Sequence, residues 1–307
     1  MKAAGKGYIA LVTTSILWGT TWVVSKIGVN EIPALQMAYI RQFIAGTCFV
    51  GFFMLYRKYK LPTARQFRWL LVMAILMFVI ANGLSTWSLK YIPTGLSCLI
   101  GALYPLSVVI IERVFYKSKQ LNIITFIGLF LGLTGVGIVF YEHAFHGADH
   151  FFIIGLSFSV IAMLSWSFGT VFLTRNKEAI DPYYGSGWQM LMSSFFLLIA
   201  AETTQPTVSF SAISIKTWMV IFYLVIFGSL ISFAAFIYSM KKLPAAIASL
   251  YAYFNPLVAM VLASFVLKEK LTINILWGAI VTLIGVYLVN YSIKKGSEEK
   301  IIVEAEI

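Results

Sequence analysis

The sequence predicts an all-α integral membrane protein, with ten transmembrane helices arranged as two inverted five-helix repeats. Three observations carry this. Of 307 residues, 60% are hydrophobic and 11% charged, against about 45–50% and about 25% in soluble domains, which excludes an ordinary soluble enzyme. Apolar runs of about 20 residues, the length that crosses a bilayer core, follow one another along the whole chain. The second half also repeats the punctuation of the first.

The spans are expected at 7–28, 34–56, 69–90, 94–116, 121–141, 151–174, 184–202, 216–240, 245–267 and 272–292, with a short solvated tail over 294–307. Lys2 and Lys6 before the apolar run from Tyr8 resemble the start of a signal peptide. No small-residue cleavage site follows, so the run is read as a retained first helix. Pro93 and Pro244 suit the first turn of the fourth and ninth helices, where a missing N–H is harmless. Cys48 and Cys98 both sit within apolar stretches and read as small buried hydrophobes, with no disulfide framework or zinc site. Gly128 and Gly132 form a small-xxx-small pair suited to close helix packing.

The net charge of +11 is a matter of topology. With ten spans, Lys2, Lys6, Arg57, Lys58, Lys60, Arg65, Arg68, Lys117, Lys119, Arg175, Lys177, Lys241, Lys242, Lys294, Lys295 and Lys300 fall on one side. The other side has only Lys26, Lys90, Lys216, Lys268 and Lys270. Because cytoplasmic loops carry the Lys/Arg excess, both termini are expected in the cytoplasm and the protein in the inner or plasma membrane. No basic surface is interleaved with aromatics, so the expected partners are the lipid bilayer and a small solute, with no nucleic acid.

Lys90-Tyr91-Ile92-Pro93, Tyr104-Pro105 and Lys117-Ser118-Lys119 recur as Lys242-Leu243-Pro244, Asn255-Pro256 and Lys268-Glu269-Lys270. Leu121, Gly128 and Gly135 align with Leu271, Gly278 and Gly285, Trp18 with Trp166, and Arg41 with Gln189. The units are taken as residues 1–146 and 147–293. Five spans per unit is an odd number, so the second copy enters the membrane in the opposite sense. Secondary transporters widely use such a repeat and bind substrate near the midplane where the repeats meet.

Leu17-Trp18-Gly19-Thr20-Thr21-Trp22 in span 1, Tyr39-Ile40-Arg41-Gln42-Phe43 in span 2, and Asn255-Pro256-Leu257 with Leu267-Lys268-Glu269-Lys270-Leu271 in the second half resemble the drug/metabolite transporter superfamily, in particular its ten-helix EamA-type members. The resemblance covers nearly the whole chain. It implies export of small metabolites or amino acids without saying which. In this chain the first copy carries Lys117-Ser118-Lys119 where the second has Glu269, so the halves differ chemically there.

Proline within a span removes a backbone bond to the carbonyl four residues back. Pro105 and Pro256 therefore free the carbonyls of Gly101 and Ala252 near the midplane, as a hinge or as a static kink. Thr14, Trp18, Thr21 and Ser25 share one face of span 1, and Ser159, Trp166 and Thr170 repeat the idea in span 6. The hydroxyls also fit interhelix packing. Trp18 and Trp166 lie away from the interfacial belt where Trp is expected, and their indole N–H groups need partners that a cavity wall for an amphipathic or aromatic ligand would supply. Asn82, Thr86, Tyr104, Gln189, Tyr251 and Asn255 extend this candidate substrate site at mid-depth.

Charges within spans default to functional hypotheses. Arg41 lies about a third of the way along span 2, as a substrate-side group or a structural cation; its match to the arginine of the resembling family is implied by that resemblance. Glu112 and Arg113 lie near the end of span 4, where local pairing explains them, and Glu269 suits helix-end pairing. No acid stands at mid-depth in span 1, which argues against exchange of protons for lipophilic cations through a shared carboxylate there; proton coupling by another route stays open. His143, His146 and His150 with Asp149 form an outer loop read as a linker, with no metal. No G-x-S-x-G turn, phosphate loop or H-E-x-x-H motif is present, so no catalytic residue and no cofactor is expected. The expected function is outward transport of a small metabolite, an amino acid or similar amphipathic compound, by alternating access. A non-transporting scaffold or receptor-like subunit, and an uptake protein or facilitator, are the alternatives. The oligomeric state is not legible.

Overall fold

In a computed structural model the described residues form helices joined by short connections. The structure describes residues 4–116, 122–144, 150–175, 180–243 and 250–305. Helices stand at all ten expected places: α1 (Ala4–Glu31), α2 (Ala34–Leu55), α3 (Ala64–Ser88), α4 (Thr94–Tyr116), α5 (Ile123–Ala144), α6 (His150–Arg175), α7 (Pro182–Thr204), α8 (Ile215–Lys242), α9 (Tyr251–Val266) and α10 (Ile273–Ala305). Eight of them are long and apolar enough to cross a membrane by themselves. The remaining two are α7, diluted by serine, glycine and glutamine, and α9, whose described part is 16 residues long. Large apolar side chains such as Leu55, Phe130, Phe195, Ile215 and Phe265 are exposed on the outside, as a hydrocarbon solvent requires.

The helix ends follow local chemistry. Thr63 accepts from the backbone N–H of Gln66 while the Gln66 side chain accepts from the Thr63 N–H, a reciprocal cap that starts α3 several residues before its expected span. Asp181 caps α7 through the N–H groups of Tyr183 and Tyr184. Pro33 and Pro93 occupy the position just before α2 and α4, one step earlier than a first-turn residue; Pro244 lies outside the described residues. Helix α10 continues through the expected tail to Ala305, where Lys and Glu residues favour helix.

Three interruptions position the site. Residues Ala74–Gly83 of α3 and Leu224–Ile231 of α8 are π-helical. They fall at corresponding places, 150 residues apart at their starts. In α4 the helix breaks at Ala102 and Leu103, between Thr94–Gly101 and Tyr104–Tyr116. Pro105 thus stands in the first turn of the second piece, where its missing N–H disturbs nothing further, and the chain closes the break with a tighter bond from Leu103 N–H to the Ile100 carbonyl (3.0 Å). Pro256 lies inside α9.

Packing pairs α2 with α7 and α5 with α10 most extensively; α1 packs on α8 and α9, and α6 on α3 and α4. Exchanging each helix for the one five places away leaves this pattern unchanged. Glycine permits the closest pairs. A Cβ on Gly135 would lie 2.5 Å from the Gly278 carbonyl oxygen, and one on Gly285 would lie 2.6 Å from that of Gly128. The apolar core divides into a cluster drawn mainly from α1, α2, α3, α7 and α8, another from α4, α5, α6, α9 and α10, and a small third one of Leu11, Leu243, Tyr251 and Ala252.

At one end of the bundle, Lys26 donates to the carbonyls of Leu89 and Ile92, Lys90 to that of Val29, and Lys216 pairs with Glu31 at 2.7 Å. Glu269 accepts from the N–H groups of Thr94 (2.9 Å) and Gly95 (3.4 Å), capping α4 from the α9–α10 loop. Lys268, at φ 58°, makes the left-handed turn that brings Glu269 there. The opposite end holds the pairs Arg175 with Glu112 (3.5 Å) and Lys241 with Asp181 (3.9 Å).

Candidate functional site

A cavity of about 190 Å³ lies among α1, α2, α3, α4, α6, α8 and α9, bordered by residues of all three core clusters. It gathers Trp18, Thr21, Asn82, Thr86, Tyr104, Trp166, Tyr251 and Asn255, together with Arg41 and Pro256. Of the residues expected at the site, Gln189, Pro105 and Glu112 are not on its lining. Gln189 is buried on α7, which packs against α2. Pro105 is buried just past the break in α4. Glu112 is part-exposed and paired with Arg175, which also stacks over the Tyr116 ring at 3.8 Å.

Trp18, Trp22, Tyr104, Trp166, Phe233 and Tyr251 give the lining an aromatic part. Trp18 meets Phe233, Phe236 and Tyr251 at centroid distances of 5.3, 5.1 and 5.3 Å, and Tyr104 stacks on Tyr251 at 6.2 Å. The Trp18 indole N–H has a partner within the protein, donating to the Gly228 carbonyl at 3.1 Å. Gly228 belongs to the π-helical stretch of α8, whose altered ladder leaves carbonyls open to side chains.

The same stretch holds Arg41. Its Nε donates to Ser229 Oγ at 2.9 Å, and a Cβ on Gly228 would lie 3.0 Å from its Nη2. Asn82 accepts from the Gln42 amide at 3.0 Å. Ser88, Ser97 and Ser159 form a buried hydroxyl triangle, with Ser97 to Ser159 at 2.7 Å and Ser88 to Ser97 at 2.9 Å, joining α3, α4 and α6. Asn255 Oδ1 and Gln42 Oε1 are buried without a hydrogen-bond partner.

Sequence reasoning missed Trp22, Ser85, Ser97, Cys98, Met163 and Phe233 on the lining. Helical spacing from Trp18 would have found Trp22; Phe233 had no signal, because only the packing of α8 on α1 brings it there. Among the described residues no group of three His, Cys, Asp or Glu side chains comes together to hold a metal. The side chains of His143 and His146 lie outside the described residues.

Ten helices, eight of them long and apolar enough to cross a membrane, with a cavity lined by polar and aromatic groups among seven of them, define a multi-pass membrane protein. The chain belongs to the EamA-like transporter family, which matches residues 5–141 and again 153–291. It is 30% identical to the uncharacterized inner membrane transporter YedA of Escherichia coli K12, over 86% of this chain and 83% of that protein. It is 23% identical to the uncharacterized transporter YoaV of Bacillus subtilis 168, over 94% and 98%, and 28% identical to the uncharacterized transporter YvbV of the same organism, over 90% and 88%. One solved crystal structure, 17% identical, matches 94% of this chain and 97% of its own with a TM-score of 0.64, a likeness of fold.

Proposed function

We propose that this protein is a secondary transporter of the inner or plasma membrane that exports a small metabolite, an amino acid or similar amphipathic compound, by alternating access. The two family matches are read as inverted five-helix units, 1–146 and 147–293, with both termini in the cytoplasm. One observation carries the reading: residues at corresponding places in the two halves meet on one cavity. Trp18 and Trp166, Gly101 and Ala252, and Tyr104 and Asn255 all line it. A solute held there contacts both units, and exchange of their conformations would expose it to one side and then the other. The break in α4 and Pro256 in α9 are the proposed bending points, since a helix that already lacks a backbone bond bends at little further cost.

The test is counterflow of labelled amino acids and related metabolites into proteoliposomes, with and without a pH gradient. Saturable exchange of at least one solute is expected, together with lower accumulation in cells that express the protein. A folded protein that exchanges no solute would be a scaffold or receptor-like subunit, and saturable filling of cells would make it an uptake protein.

A further inference from the structure

We propose that Arg41 is the anion-binding residue of the cavity, and that the transported solute carries a carboxylate bound by its guanidinium. This deepens the reading above and rests on the cavity being the solute's site. Arg41 is only 7% exposed and, among the described residues, is the one charged side chain on the cavity lining. A guanidinium cannot shed its proton in a protein and offers five donors. One of them, Nε, is taken by Ser229. Among the described residues the ion-paired carboxylates are Glu112, Glu31 and Asp181, each engaged by a lysine or arginine other than Arg41 at the ends of the bundle. A structural cation at this depth would be expected to sit against an acid, because a buried charge without a counter-charge is strongly unfavourable.

The bare backbone at Gly228 lets the guanidinium lie across α8, with Ser229 fixing its plane from the Nε edge. The two terminal nitrogens remain for a planar oxyanion, the fork geometry in which arginine binds carboxylate. A second observation is independent of the charge: Asn255, on the same lining and 9% exposed, keeps a buried amide oxygen without a partner. That acceptor calls for a donor such as an ammonium or hydroxyl group. Trp18, Tyr104 and Tyr251 line the same cavity, surfaces for an apolar or aromatic body. The site therefore fits a small amphipathic carboxylate that also carries a hydrogen-bond donor.

The experiment measures thermal stabilisation of the detergent-solubilised full chain by four matched probes: phenylalanine, 3-phenylpropionate, phenylalaninamide and 2-phenylethylamine, the last two lacking a carboxylate. The two carboxylates are expected to bind at least about tenfold more tightly than the amide and the amine. Arg41→Gln is expected to remove that preference and Arg41→Lys to retain part of it; glutamine already stands at the matching position 189. Equal response to all four probes, response only to the amide or amine, no response to any, or an unchanged preference in folded Arg41→Gln each overturn the proposal. If Arg41→Gln does not fold, the wild-type preference together with Arg41→Lys decides. Counterflow is measured alongside: carboxylate binding without exchange sinks the transporter reading and leaves Arg41 standing as the cavity's anion-binding residue, while saturable exchange of a carboxylate-free solute with no carboxylate preference does the reverse.

Discussion

Trp18 on α1 and Gly228 in the π-helical turn of α8 are joined by an indole N–H to carbonyl hydrogen bond of 3.1 Å. The bond spans the two sequence halves and ties the cavity's aromatic wall to a carbonyl of the turn whose next residue, Ser229, holds Arg41. Trp18→Phe keeps the ring packing but leaves that carbonyl without its donor. A loss of about 1–3 kcal/mol follows from an unsatisfied buried acceptor, read as a lower unfolding temperature in detergent. Gly228→Ala is expected to be worse, since its Cβ would stand 2.8 Å from Thr21 Cγ2 and 3.0 Å from Arg41 Nη2.

The interface of α5 and α10 should separate essential glycines from tolerant ones. Gly135→Val drives a side chain into the backbone of Gly278 and Thr282 and is expected to abolish the folded monodisperse species on size exclusion. Gly137→Ala, with nothing within 4 Å of its added Cβ, should be neutral or stabilising by up to about 1 kcal/mol from helix propensity. Equal damage from both would contradict the packing described.

Glu269 caps α4 across the chain's two halves. Glu269→Ala leaves the N–H groups of Thr94 and Gly95 without their acceptor and should cost about 0.5–2 kcal/mol. Glu269→Gln keeps an acceptor oxygen and should lose less. Thermal unfolding of the three proteins gives the order; a glutamine variant as unstable as the alanine variant would show that the charge matters and not the cap.

Pro256→Ala offers α9 the backbone N–H that residue 256 now lacks. If α9 bends during transport, the variant should keep ligand binding, measured by thermal stabilisation, while counterflow slows several-fold. Unchanged counterflow would make the proline a fixed kink.

Cys98 lines the cavity and is 2% exposed, whereas Cys48 is exposed on the outside of the bundle. In a Cys48→Ala background, a small water-soluble thiol reagent should reach Cys98 slowly, and a bound solute should slow it further. With both native cysteines replaced, cysteine at Lys58 should label only from the cytoplasmic side and cysteine at Ser211 only from the outer side. The opposite pattern would invert the proposed orientation.

Much of the cavity lining is legible in sequence because a polar or large aromatic residue deep in a span needs a reason to be there. Trp18, Trp166, Asn82, Tyr104, Tyr251 and Asn255 were identified on that ground, and all line the cavity. The same logic misplaced Gln189, because depth along a helix does not say which face meets a neighbour. Glu112 likewise stood out as a charge, yet its position near a helix end lets it pair with Arg175 at the end of α6. Phe233 and Met163 resemble lipid-facing residues in an apolar run, and nothing local distinguishes them.

Hydropathy and spacing alone settled the membrane class, the places of the ten helices and the recurrence of their motifs, since each depends only on neighbours along the chain and on the solvent they must face. Tertiary structure decided which carbonyl satisfies Trp18, where α3 and α8 turn π-helical, and that Arg41 meets a serine in place of an acid. The two pairings join helices more than a hundred residues apart in sequence, and an apolar run carries no mark of the partner that will pack against it.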